Sequence, residues 1–98
     1  MIARIWRGRV RAADAPAYRE YVVETGLAGY KATPGNRGAY LLTRIEDGVA
    51  HIATLSLWDS YEAIAQFAGD DIAKARYYPR DAQFLLDFPE YVEHYEVD

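Results

Sequence analysis

The sequence predicts an α+β domain built on a four-stranded antiparallel sheet with its helices on one face, and three observations carry that expectation. Period-2 patterning opens the chain in "MIARIWRGRV", with apolar weight on both faces, and returns at its end in "YVEHYEV". Two further alternating stretches, "GAYLLTRIE" and "VAHIATLSLW", are joined by "EDGV", whose Asp-Gly pair favours a tight hairpin. Helical spacing appears only after the first strand and after the third. At 98 residues this is one domain, residues 1–98, near the lower limit of what one core stabilises alone.

The elements follow in order. Strand one covers residues 2 to 10, with Ile2, Trp6 and Val10 on one face and Ala3 and Ile5 on the other. Asp14 is placed to cap the first helix and Pro16 is tolerated in its first turn, while Tyr18, Tyr21, Val22 and Thr25 repeat at helical spacing. Gly26 is expected to end that helix, and "AGYKATPGNRG" to form a connecting loop. Strands two and three span residues 38 to 46 and 49 to 58. Asp59 and Ser60 can each cap the next helix, with Glu62 three residues after Asp59 as in a capping box; its apolar side is Ala63, Ile64, Phe67 and Ala68. A further helical piece, "DDIAKARYY", is expected to stop before Pro79, and "RDAQFLLDF" to add a turn before Pro89. In the last strand Tyr91, Tyr95 and Val97 share one face, Val92 and His94 the other.

Strand, helix, strand, strand, helix, strand is the ferredoxin-like βαββαβ plan. Helices on one side leave the other face of the sheet bare, and the pattern puts Leu, Ile, Tyr and Trp there. An apolar face of that size is expected to be covered by a second copy, giving a homodimer with its sheets face to face.

Composition removes several function classes. The absence of cysteine excludes disulfides, a thiol nucleophile and a thiolate metal site. A net charge of −4 disfavours a nucleic-acid surface, whose affinity comes from accumulated Lys and Arg. Every apolar run is broken by charge within a few positions, so no membrane span is expected. The chain begins directly on a strand, without a charged leader, apolar block and cleavage site, and a cytoplasmic location is the corresponding expectation. One local basic group exists: alternation sends Arg7, Arg9 and Arg11 to one side of strand one, as partners for the acidic "EYVEHYEVD" or, less simply, as an anion site.

The strand-ending Trp58 followed by Asp59, Ser60, Glu62, Ala63 and Phe67, together with the hairpin before it and the apolar start of the chain, resembles the antibiotic biosynthesis monooxygenase family of dimeric α+β barrels, across nearly the whole length. The resemblance implies a cofactor-free oxygenase: an electron-rich phenol or quinol, once deprotonated, reacts with dioxygen itself. The protein then has to exclude water, hold a planar ring and stabilise the phenolate. The family also contains haem-degrading enzymes, which rely on an Asn from strand one, a Trp on helix two and a His as iron ligand. Here strand one has no Asn, Phe67 stands in the place of the Trp and Tyr77 in that of the His. Haem degradation is therefore a distant third reading.

The candidate residues follow from these demands. His51 and His94 are the only histidines, the side chains most easily tuned to proton transfer near neutrality. His51 reads better as a hydrogen-bonded histidine in the dimer seam than as a base, and His94 equally as a member of a surface ion pair with Glu93 or Glu96. With no third His or HExxH spacing, no metal site is expected. "RYYPRD" is the densest chemical patch. One of Tyr77 and Tyr78 is expected to face a pocket as hydrogen-bond donor, with Arg76 lowering the pKa of a substrate hydroxyl; the plainer alternative packs both rings and pairs the arginines with nearby aspartates. Trp58, Phe67 and Phe84 are the expected walls for a small aromatic ligand, Trp58 serving first as core. The competing expectation is a non-catalytic homodimer that binds an apolar ligand or a protein. An enclosed pocket where two or more of these polar groups converge would distinguish the first, and a space filled solid by Trp58, Phe67 and Phe84 the second.

Overall fold

Pairing on both sides places β1 (Ile2–Arg11) inside the sheet of the structure, a computed structural model that describes Met1–Asp98. Its even-numbered residues turn toward the helices and are buried, Val10 completely, while Arg7, Arg9 and Arg11 face outward. β2 (Asn36–Glu46) and β3 (Val49–Trp58) form the expected hairpin. Asp47 and Gly48 at its turn have φ of 52° and 76°, the left-handed pair that matches strand twist. With β4 (Glu93–Glu96) the sheet order is β2-β3-β1-β4, antiparallel throughout. This is the α+β, ferredoxin-like arrangement the sequence predicts.

Several boundaries differ from expectation, each for a local reason. Asp14 does not cap α1 (Ala15–Val22); its carboxylate accepts from Arg11 at 3.0 Å, and a short 3₁₀ turn, Ala12–Asp14, leads in. Gly26 does not end the helix. The chain passes through a π-helical turn, Val23–Leu27, into α2 (Ala28–Ala32), and the Thr25 hydroxyl donates to the Tyr21 carbonyl at 2.7 Å inside that turn. Helical backbone tolerates a buried glycine when the flanking Val22, Leu27 and Tyr30 enter the core, so packing overrides the weak local preference.

α3 (Tyr61–Ala68) is capped by Ser60, whose hydroxyl accepts from the Ala63 amide at 3.2 Å. Asp59 pairs instead with Arg37, and no capping box forms. The helix expected over "DDIAKARYY" is absent: Asp70–Tyr78 runs as extended coil, because its hydrogen bonds go to the opposite strand of chain, Ala75 N to Glu90 O and Val92 N to Ala73 O, both 2.8 Å. Only a 3₁₀ turn, Asp81–Gln83, follows Pro79. Leu85 and Leu86 then bridge the exposed edge of β1, with Leu86 N on Arg9 O at 2.9 Å.

Both tryptophans lie on the helix side, which corrects the expectation of Trp on the bare face. Trp58 is fully buried, and its indole donates to the Ser56 hydroxyl at 2.9 Å. The open face instead carries Ala3, Ile5, Leu55, Leu57, Tyr40, Leu42 and Tyr95 toward one end and Arg7, Arg9, Arg44 and His51 toward the other. Tyr40, Leu42 and Tyr95 are about half exposed.

Candidate functional site

Three hollows mark the surface; one of about 350 Å³ is an open groove beside α1 lined by Pro16, Arg19, Val23 and Leu41, and the other two lie on opposite sides of the sheet. The larger, about 550 Å³, is a wide depression on the open face lined by Arg7, Arg9, Leu42, Arg44, His51 and Asp87 among others. Its arginines are exposed and already paired, Arg7 with Glu93 at 2.9 Å and Arg9 with Asp87 at 3.1 Å. Exposed pairs of this kind hold little energy.

The smaller hollow, about 30 Å³, is a recess between the sheet and the helices, and it has the more demanding chemistry. β1 supplies Arg4 and Trp6, α1 Tyr18 and Val22, the π-helical turn Thr25, α2 Tyr30, and the coil after α3 Arg76, Tyr78 and Asp81. Widened turns of this type recur at functional sites because they displace a helix face locally. Gly29 on α2 makes room: a β-carbon there would come within 3.2 Å of the Tyr78 hydroxyl and 3.0 Å of the Phe67 ring.

Arg4 dominates the recess electrostatically. It is only 2% exposed, and burial pushes its pKa below the ordinary guanidinium value, though a guanidinium stays protonated. Its Nη1 donates to the Tyr30 hydroxyl at 3.4 Å and its Nη2 to the Lys74 carbonyl at 3.2 Å, while its Nε has no partner. No carboxylate forms an ion pair with it. Asp81, the carboxylate of the recess, is 4% exposed and committed elsewhere, accepting from the Tyr18 hydroxyl at 2.9 Å and the Tyr78 amide at 2.6 Å. Burial first, and then Asp81, push the Tyr18 phenol far above its ordinary pKa, so Tyr18 is a neutral donor at any working pH.

The expected site residues divide. Arg76 and Tyr78 do converge on the recess. Arg76 pairs with no aspartate; its Nη1 donates to the Phe67 carbonyl at 2.9 Å, and its guanidinium lies over the Phe67 and Tyr78 rings, 4.9 and 5.3 Å from their centres. Burial raises the Tyr78 pKa and Arg76 opposes that rise. Phe67 backs the recess, with Arg4 5.6 Å from its ring centre and Tyr30 4.6 Å.

Tyr77 turns away, meeting Trp6 and Phe88 edge-on and donating to the Pro89 carbonyl. Phe84 stacks on Tyr18 and Tyr21 outside the recess, and Trp58 is core rather than wall. His51 faces the open side of the sheet, so it cannot serve as a base in the recess. His94 pairs in register with Arg4 and meets Tyr61 edge-on; burial first, then the Arg4 charge, lower its pKa. Its Nε2 is buried and unpartnered.

Sequence reasoning passed over Arg4, Tyr18, Tyr30 and Asp81. For Arg4 the signal was present: it shares the parity of Ile2, Trp6 and Val10, the core side of β1. An arginine at a core position of an otherwise apolar face is the informative exception.

No protein-family model and no curated protein matches the sequence. Solved structures do. A proposed antibiotic biosynthesis monooxygenase from Nitrosomonas europaea is 17% identical with a TM-score of 0.69, covering 99% of this chain and 98% of its own. Rv0793 from Mycobacterium tuberculosis is 17% identical with a TM-score of 0.65, covering 98% and 93%. A point mutant of MhuD, solved with two manganese protoporphyrin IX molecules per active site, is 21% identical with a TM-score of 0.60, covering 99% and 94%. The chain therefore has the fold of the antibiotic biosynthesis monooxygenase proteins.

Proposed function

We propose that the protein is a cofactor-independent monooxygenase that acts as a homodimer on an aromatic quinol or polycyclic phenol, which seats its oxygen in the helix-side recess and leaves its ring outside. The observation that carries this reading is the convergence of Arg4, Arg76 and the Tyr78 and Tyr30 hydroxyls on one sheltered point. A buried cation at the floor, with hydroxyl donors beside it and a second guanidinium placed over the aromatic side chains, suits a developing phenolate. In the reaction the substrate's acidic O–H or C–H bond breaks, the resulting anion is oxidised by dioxygen, one oxygen atom becomes a new ring carbonyl, and the other leaves as water. The protein's part is to lower the barrier to ionisation and hold the ring in place beside Arg76 and Tyr78. The open face of the sheet, with Leu55, Leu57, Tyr40 and Tyr95, supports assembly of two copies sheet to sheet, which keeps the recess on the outer side of each.

A metalloporphyrin, bound by the third of the neighbouring structures, does not fit the residues here. The Tyr77 hydroxyl is given to Pro89, and the recess has about 30 Å³ of free space. The same small volume, with Trp58 and Phe67 filling the adjoining core, favours the second reading, a non-catalytic dimer that binds a ligand group.

Oxygen uptake with a panel of hydroquinones and anthrones separates the two. The oxygenase reading predicts uptake by the native protein, a fall of about tenfold or more in Tyr78→Phe from loss of a hydrogen bond to an anion, and native rates in Tyr77→Phe and His51→Ala. Uptake no faster than without protein leaves the non-catalytic reading.

A further inference from the structure

The unpaired charge of Arg4 calls for an occupant that nothing in the chain provides. Removing a guanidinium from water without a counter-charge is among the least favourable things a fold does, and such groups are retained where something outside the protein supplies the missing charge. Here the candidates within the chain are exhausted. Asp81 is held by Tyr18 and the Tyr78 amide, the cross-strand partners of Arg4 are Ser56 and His94, neither of which supplies negative charge, and Arg76 adds a second cation at the same recess. The Arg4 Nε–H is buried without an acceptor, and the cavity beside it, about 30 Å³, matches one oxygen rather than a whole ring.

From this juxtaposition we propose that the recess is selective for an anionic aryl ligand, seating a single phenolate or carboxylate oxygen on Arg4 with the ring lying outward beside Arg76 and Tyr78. The inference rests on the reading of the recess as the ligand site, yet it holds whether or not turnover follows. It also assigns a division of labour: Arg4 is the anion partner at the floor, and Arg76, stacked on Phe67 and Tyr78, guides and covers the ring.

Binding of para-nitrophenol, whose phenolate band reports its own ionisation, tests the proposal without any reaction. The native protein is expected to bind the phenolate and to hold it ionised at lower pH than in free solution. It should favour the phenolate over the phenol by about tenfold or more, the range of a hydrogen bond to a charged group. Arg4→Met removes that preference, Arg4→Lys retains part of it, and Arg76→Gln weakens binding while leaving the preference for the ionised form. In the absence of dye, Arg4→Met is expected to unfold at a temperature no lower than the native protein, because an uncompensated buried charge has been replaced by an apolar chain of similar length. A parallel titration with para-nitrobenzoate shows whether the natural oxygen is phenolate or carboxylate by which binds tighter. No binding of either anion, or an ionisation shift unchanged in Arg4→Met, overturns the proposal. Anion preference without oxygen uptake removes only the oxygenase reading, and uptake without anion preference removes only this one.

Discussion

At the scale of single residues, the chemistry is set by who has a partner and who does not. Asp81 has two donors and Arg4 has a vacant one, so the recess is electrostatically lopsided. His94 shows the same imbalance in a form that can be titrated. Burial and the facing Arg4 lower its pKa in the folded chain, while the unfolded chain keeps the ordinary histidine value near about 6.5. As pH falls through that range the unfolded state takes up the proton first, and stability is lost until the folded histidine titrates as well. Urea midpoints measured between about pH 7 and pH 5 should therefore fall more steeply for the native protein than for His94→Gln; parallel curves would show that the Arg4–His94 pair is not felt. Residue types in this region were legible in the sequence, since Arg76 and Tyr78 stand in the chemically dense "RYYPRD". Their directions were not. Which of two adjacent tyrosines turns inward is decided by the Pro89 carbonyl and the space left by Gly29, both distant in the chain.

At the scale of elements, alternation identified all four strands, because period-2 burial against a helix layer leaves a strong pattern. Helix ends were less legible. Gly26 and the "AGYKA" segment have weak helical preference, and only burial of Leu27 and Tyr30 carries the helix through them. Conversely, "DDIAKARYY" has helical spacing but no free face to bury, since Ala73 and Ala75 are claimed by the chain around Glu90–Val92. Ser60 and Asp59 were indistinguishable as caps until the position of Arg37 across β2 drew Asp59 away. The cap holds the start of α3, and with it Phe67, over the recess. Ser60→Ala should lower stability by about 1 kcal/mol in urea unfolding, whereas Asp59→Ala should cost less because its exposed pair with Arg37 contributes little. The reverse order would mean that the salt bridge, not the cap, fixes α3.

At the scale of the whole molecule, the sheet separates two surfaces of different composition. One face packs Trp6, Trp58 and Phe67 under the helices and closes them around an ionic recess; the other leaves Tyr40, Leu42 and Tyr95 half exposed beside a basic depression. The plan was readable from the order of elements. The identity of the bare face was readable only in part, since parity assigns residues to a side but not which side the helices cover. Assembly on one face and binding beneath the other are consistent demands on a chain this short, because each frees the other from compromise. Everything functional then turns on what occupies the space beside Arg4. The most direct measurement is a crystal structure of the protein soaked with an anthrone or a nitrophenol. The expected result is the ring beside Arg76 and Tyr78 with its oxygen on the Arg4 guanidinium, on the side of the sheet away from any second copy. A ligand seated on the open face, or Arg4 found paired with a carboxylate of the protein itself, would contradict it.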